Sequence, residues 1–470
     1  MAKIVKIKKG LDIPVAGSPS SHLTNHRPDS VAVTPDDFPG YHWRPIAKPG
    51  DNVVTGTPLF QAKEDDDIKL VSPVSGTVDA ITRGDRRHII NMSVKVNHNS
   101  NKCVNIELPK SIPAPSPNND RSRRFDNPVW MEFQAQARAA LKNAGLWALL
   151  RQRPFDVVPG AETIPDNIFI TAFDSAPNAP DLMRDLEKAD IYKGIEVLDA
   201  LTYGHLYIGT NPEHTHELEI VANQKAIVTT FRGPHPAGNV GPQIAALNPI
   251  AKGQTYWTLD IRTLAAIGYL FNTNELNFET IIAVSGPEVN NPHLVKTIHG
   301  ADIRTILKDF ELGDAPEKRT VSGNVLTGYT VDARDGYLRY PYRQISVIEE
   351  GQNVDEFMGW ASLSTRKYSV KRMLPAGLFR LKHDFHFDSR LLGGHRAMIL
   401  SGELDSVFPF DIYPEYLLKA TIVNNYEKME NLGIYEVAPE DFALPEFVDT
   451  SKEPLQQIIR DGLERLRLDQ

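Results

Sequence analysis

One cysteine, Cys103, stands in 470 residues. That scarcity excludes intrachain disulfides and cysteine-ligated iron–sulfur clusters, and it fits a reducing compartment. Long apolar runs are missing as well. A membrane-spanning helix needs about 18 or more apolar residues, and the longest candidate, Leu264–Phe271, is far shorter. The opening Met1–Lys9 carries charge but no apolar core of a secretory signal. Basic charge is not in excess: 51 Lys and Arg face 60 Asp and Glu, a net charge of −9. That balance argues against general nucleic-acid binding, so no nucleic-acid partner is expected. The short catalytic motifs are absent too. There is no G-x-x-x-x-G-K-[ST] phosphate loop, no G-x-S-x-G elbow and no H-E-x-x-H zinc motif. Gly238 and Gly241 do not make a dinucleotide fingerprint. No catalytic residue can be named from the residues alone.

What is present is an ordinary globular composition, 41% hydrophobic and 24% charged. At about 100–200 residues per domain, the length predicts three or four domains. Residues 45–78 are the most informative stretch. Gly50-Asp51 and Gly56 supply turns, Val53, Val54, Leu59 and Phe60 supply strand and core, and Ser72-Pro73 and Gly76 punctuate a return strand. The pattern resembles the hairpin of lipoyl and biotin carrier domains, whose tip presents one acylated lysine. Here the tip reads Lys63-Glu64-Asp65-Asp66-Asp67, and Asp65 stands at the carrier position. The scaffold is expected without the acyl chemistry, and the acidic tip reads as a solvated turn.

Along the chain, residues 4–7 and 11–15 read as short strands that join 45–96 in one small β domain. Five prolines between 109 and 128 mark a linker, because proline removes backbone donors and fixes φ. Val129, Phe133, Ala137, Ala140, Leu141 and Ala144 then form an apolar helical stripe. Strand-like runs at Asn167–Thr171, Leu206–Gly209, Ala226–Phe231, Thr255–Leu259 and Thr280–Val284 follow. They alternate with helix-like runs such as Asp181–Leu201 and Ile261–Leu270, which predicts an α/β unit with a largely parallel sheet. From Val295 to Ile348 short strands and a small helix at Ile303–Phe310 predict a compact α+β module. Leu417–Val423 and Leu455–Leu466 predict a helical C-terminal region.

The densest glycine and proline cluster is Arg232–Pro242, directly after an apolar strand. Open α/β sheets place ligands at such strand ends. The cluster reads either as a turn-rich crossover or as a ligand loop with His235 as a polar contact. His214-Thr-His216 and His383-x-x-His386 have short spacings without a third marked ligand, so no metal site is expected. Trp147, Phe155 and Trp257 read as core.

The order of motifs carries a resemblance. Lys6–Gly17, Ser72–Val78, Arg83–Arg87, Gly145–Trp147 and Arg153–Pro159 resemble the NqrA family of the sodium-translocating NADH:quinone reductase. So do Gly233–Gly238, Ile267-Gly268 with Leu270-Phe271, Gly286–Pro292, Arg396–Met398 and Pro409–Pro414, in the family's order. The resemblance implies a multidomain α+β protein. Its parts would be a barrel-sandwich-like domain at 1–108, the linker at 109–128 and an α/β, Rossmann-like domain at 129–290. A β-grasp soluble-ligand-binding module at 291–350 and a largely helical region at 351–470 would follow. The α/β domain would be related to the flavin-binding subunit of complex I and to the Rnf C subunit.

Those relatives hold flavin and NADH with a glycine-rich loop. The matching stretch here, Ala144–Pro159, keeps only Gly145 and the nearby Gly160, and no covalent-flavin motif appears. No cofactor is therefore expected on this chain. NADH, FAD, FMN and iron–sulfur are expected in partner subunits, chiefly beside a membrane subunit, and the chain at the cytoplasmic face of the bacterial inner membrane. Arg153, Phe155, His235 and Gly238 are the quinone-contact candidates, as an aromatic and a donor near a rigid loop. The alternatives are an Rnf-like electron-entry subunit that binds NADH and FMN, and a non-catalytic barrel-sandwich scaffold.

Overall fold

The structure, a computed structural model, describes residues 2–113, 124–332, 334–351, 365, 367–370 and 383–469. It is a mixed α+β, multidomain architecture built on two six-stranded sheets and two smaller ones.

The first large sheet runs in the order Lys3–Lys6, Ala226–Arg232, Leu206–Thr210, Asn167–Thr171, Tyr256–Asp260, Arg151–Arg153. Every neighbouring pair is parallel except the last. Sheets buried on both faces need near-continuous apolar strands. Ile168, Phe169 and Ile170 supply one, each at most 1% exposed. Ile168 and Ile170 face the helices Lys188–Asp199 and Ile261–Thr273, and Phe169 faces Val240–Leu247 on the other side. The helix Ile261–Thr273 starts where the Asp260 carboxylate accepts the Thr263 N–H at 2.7 Å. It stops at Asn274, which is left-handed at φ 59°.

The predicted strand near residue 4 is present, but it lies in this sheet and not in the small β domain. Lys3–Lys6 pairs with Ala226–Arg232. The expected helix Asp181–Leu201 is confined to Lys188–Asp199. Asp181 turns the chain instead, accepting the Met183 N–H, and Asp185 is left-handed. In the helix Pro128–Asn143, capped by the Asn127 side chain, Phe133, Ala137, Ala140 and Leu141 are buried as predicted. Val129 is exposed, and Trp130 takes its place inside.

The second large sheet runs Tyr329–Thr330, Lys318–Ser322, Gln344–Glu349, Glu279–Ser285, His293–Ile298, Ser20–Asn25. Glu279–Ser285, expected in the alternating unit, belongs here because a short connection folds it antiparallel onto His293–Ile298. Ser20–Asn25 joins from the N-terminal region. The small helix spans only Ile303–Ile306 before tightening into a 3-10 turn at Leu307–Asp309.

Two antiparallel sheets make the small N-terminal β domain, around Leu59, Phe60, Ile68, Met92 and Val94, all fully buried. The hairpin Pro58–Ala62 with Lys69–Val71 forms as predicted. Its acidic tip is an exposed turn, as predicted, and two of its acids also meet cations. Asp67 meets the nearly buried Lys142 at 2.8 Å, and Asp66 meets Arg44 at 2.7 Å. The C-terminal region carries the helices Pro414–Ile422, Tyr426–Asn431, Ala443–Val448 and Leu455–Leu468 around a core that also takes in Ile13, Val15, Phe155 and Val157. Linker residues 114–123, and 352–364, 366 and 371–382 of the C-terminal region, lie outside the described residues.

Candidate functional site

The loop Gly233–Gly238 closes on the N-terminal segment. The His235 carbonyl accepts the Leu11 N–H at 2.8 Å, and the His235 N–H donates to Asp12 Oδ1 at 2.8 Å. Two motifs more than 200 residues apart in the sequence therefore form one unit. The imidazole is 4% exposed, and its Nδ1 lies 3.1 Å from Ser175 Oγ. Burial lowers its pKa to about 4, so the ring is neutral at physiological pH. Ser175 Oγ also accepts the Gly238 N–H at 2.8 Å. Gly238 is required there, because a Cβ would lie 2.5 Å from Ser175 N.

Arg153 is 3% exposed and faces three carboxylates. It lies 2.9 Å from Glu440, 3.6 Å from Asp441 and 3.8 Å from Asp156. Arg460 takes Asp156 from the other side at 2.9 Å. Burial works against the Asp156 charge, but Arg153 and Arg460 outweigh it and hold its pKa below the usual carboxylate range. For Asp441 burial wins over Arg153, and its pKa is pushed up to about 6. Burial also raises Glu440, to about 7, against Arg153 and with Asp441 and Asp156 adding. Glu440 keeps 42% of its side chain in water and Asp441 keeps none, so solvent screens the first and not the second. Phe155 has a positive φ of 82° and stands edge-on to Tyr435, ring centres 6.0 Å apart.

None of the four predicted contact residues is among those lining the main cleft, and Arg153, Phe155 and His235 contact segments that adjoin it. A cleft of about 1200 Å³ opens between the second large sheet and the C-terminal region. Its wall is aromatic: Tyr368 lies 5.3 Å from Phe385 and 5.6 Å from Phe387, and Phe387 lies 6.3 Å from Phe447. Lys367, His383, His386 and Arg319 add polar groups to the lining. Ile13 and Val15 line it directly after the segment that His235 anchors. Phe155 shares a core with both. Arg153 holds Glu440 and Asp441, which directly precede the helix carrying Glu446 and Phe447 of the lining.

Sequence reasoning misses this cleft. Its one local signal is the alternation His383-Asp384-Phe385-His386-Phe387, whose histidine spacing points only to the question of a metal. Among the described residues no group of three or more His, Cys, Asp or Glu side chains is placed to hold a metal ion. The stretch Ala144–Pro159 is tightly packed around its start: Leu146 and Trp147 are each 1% exposed, and Trp147 stands edge-on to Trp257 with ring centres 5.0 Å apart. A Cβ on Gly145 would meet the Val71 side chain of the small β domain.

Three family models match the chain in order. Residues 5–97 match the NqrA N-terminal barrel-sandwich hybrid domain, 133–276 the NqrA second alpha/beta domain and 281–333 the NQRA C-terminal domain. Curated relatives match end to end. The Na(+)-translocating NADH-quinone reductase A subunit of Histophilus somni (strain 2336) is 34% identical, over 98% of this chain and 99% of its own length. The protein of the same name from Neisseria meningitidis serogroup A is 34% identical over the same shares. That from Rhodopirellula baltica is 33% identical over 98% and 97%. Among solved structures, a chain of an air-oxidised NAD+-reducing [NiFe]-hydrogenase covers 49% of this chain and 49% of its own, at 14% identity and a TM-score of 0.31. That overlap is too loose to bear on function.

Proposed function

We infer the function from the family: the chain belongs to the NqrA family of the Na(+)-translocating NADH-quinone reductases and works as a subunit of that translocase complex. The observation that carries this is the end-to-end match at about one third identity, with three family domains in order. The complex couples NADH oxidation and quinone reduction to sodium transport.

The finer assignments are proposals. No helix among the described residues is long and apolar enough to cross a membrane. We therefore attach the chain through another subunit of the complex, chiefly a membrane subunit, on the cytoplasmic face of the bacterial inner membrane. NADH, FAD, FMN and iron–sulfur are assigned to partner subunits. The filled stretch around Gly145 and Trp147 supports leaving flavin off this chain. We read the parallel sheet as Rossmann-like and the second large sheet as the β-grasp module, starting at Glu279.

Where quinone meets this chain, we place it in the aromatic cleft. A cluster of edge-on and tilted aromatic side chains beside a few polar groups suits a flat headgroup with carbonyl acceptors. Arg153, Phe155, His235 and Gly238 then act as support for its wall. The test is Phe387→Ala in the assembled complex. Loss of one aromatic contact of about 0.5–1.5 kcal/mol should raise the apparent quinone KM roughly 2- to 10-fold. NADH oxidation by artificial acceptors should stay unchanged. Unaltered quinone kinetics would remove quinone from the cleft.

A further inference from the structure

The strand Lys3–Lys6 is the outermost of the parallel sheet, so one of its edges has no neighbouring strand among the described residues. The Ile7 N–H donates to Arg232 O at 2.8 Å on the inner side. By the alternation of a parallel ladder, the amides of Ile4 and Lys6 face outward. Around this edge Lys3, Lys6, Lys8, Lys9 and Arg232 are all exposed. Among the described residues none of them has a carboxylate at ion-pair distance. Asp12, the nearest acid in sequence, is engaged by the His235 N–H. Four such lysines in and just after the edge strand, with Arg232 on the strand beside it and none of them in an ion pair among the described residues, stand out on a chain of net charge −9. Ile4 is 61% exposed among them, and Ile227 on the neighbouring strand is 42% exposed.

Lysines on an edge strand discourage pairing with apolar edges. They favour a strand that brings carboxylates, because the backbone then supplies hydrogen bonds and the side chains supply complementary charge. We propose that this edge accepts an acidic extended segment of another subunit of the complex by strand addition. The proposal rests on the subunit reading above and adds the surface and the chemistry of its partner.

The test uses the purified complex and the full chain. Zero-length carbodiimide coupling should join Lys3, Lys6, Lys8 or Lys9 to Asp or Glu side chains within one short segment of another subunit. Amide exchange at Ile4 and Lys6 should slow on the order of tenfold or more in the complex relative to the free chain. The triple variant Lys3→Glu, Lys6→Glu, Lys8→Glu should leave the complex at lower salt than wild type. Its Tm alone should match wild type, since all three side chains are exposed.

Equal acylation of these lysines in the free and assembled chain would overturn the proposal, as would salt-resistant retention of the triple variant. So would loss, in that variant, of binding to phosphatidylglycerol vesicles only, which would assign the edge to lipid. Failure of the wild-type chain to enter any complex would instead sink the subunit reading, and this inference with it.

Discussion

The Asp441 carboxylate occupies the space that a side chain on Gly241 would need. A Cβ built on Gly241 collides with both of its oxygens. Gly241 lies in the first turn of the helix Val240–Leu247, where partial positive charge favours a carboxylate. The α/β unit and the C-terminal region thus meet with no spare volume.

Gly241→Ala should therefore destabilise the protein by roughly 1–3 kcal/mol, because the methyl must displace a buried carboxylate. Chemical denaturation of the full chain measures it. A change within about 0.5 kcal/mol, as for an unconstrained surface site, would show that this junction yields.

Arg153→Ala should cost more. It leaves Asp441 buried without its guanidinium partner and Asp156 with Arg460 alone, and breaking such a buried pair costs about 3–5 kcal/mol. Proteolysis at native temperature should also cut the C-terminal region faster than the parallel sheet, because Arg153 ties the two together.

Asp441 gives the junction a pH response of defined sign. Its folded pKa, about 6, lies above its ordinary value of 3.8, so the folded state holds the proton more tightly. The stability this lends is full below about pH 4 and is lost as pH rises through about 6. Asp441→Asn should match wild type near pH 4 and exceed it near pH 8, by on the order of 1–3 kcal/mol. Parallel stability curves for the two proteins would refute the assignment.

His235 works in the opposite direction. Its folded pKa, about 4, lies below the ordinary 6.5. The stability it lends is present above about pH 6.5 and is lost as pH falls toward 4. His235→Ala should lower stability at pH 8 by roughly 1–3 kcal/mol, through the lost Ser175 contact, and should flatten the acid limb of the curve. Its effect on apparent quinone KM should be smaller than that of Phe387→Ala, since His235 stands behind the cleft.

Much of this architecture is legible in the residues. Alternating apolar runs mark four strands of the parallel sheet, because strands buried on both faces must be apolar throughout. The hairpin around Asp65 follows from its turn residues. What the residues do not show depends on distant pairing. Nothing local to Lys3–Lys6 says that its partner is Ala226–Arg232, and nothing in Glu279–Ser285 says which sheet will take it. Phe155 reads as core and is buried, whereas Arg153, His235 and Gly238 stand out as unusual residues whose burial cannot be read from the sequence. A buried loop carries the same glycines, prolines and charges as an exposed contact surface. The cleft wall is hidden because Tyr368, Phe385 and Phe447 come from separate segments.

The central claim is that this chain is a working part of a sodium-translocating NADH-quinone reductase. The direct measurement is affinity purification through a tag on this chain from mildly solubilised membranes, with assay of sodium-stimulated quinone reduction by NADH. The account predicts that the other subunits and the activity come with it, and that deleting its gene abolishes quinone reduction until the chain is restored. Recovery of the chain alone, or a complete and fully active complex without it, would contradict the account.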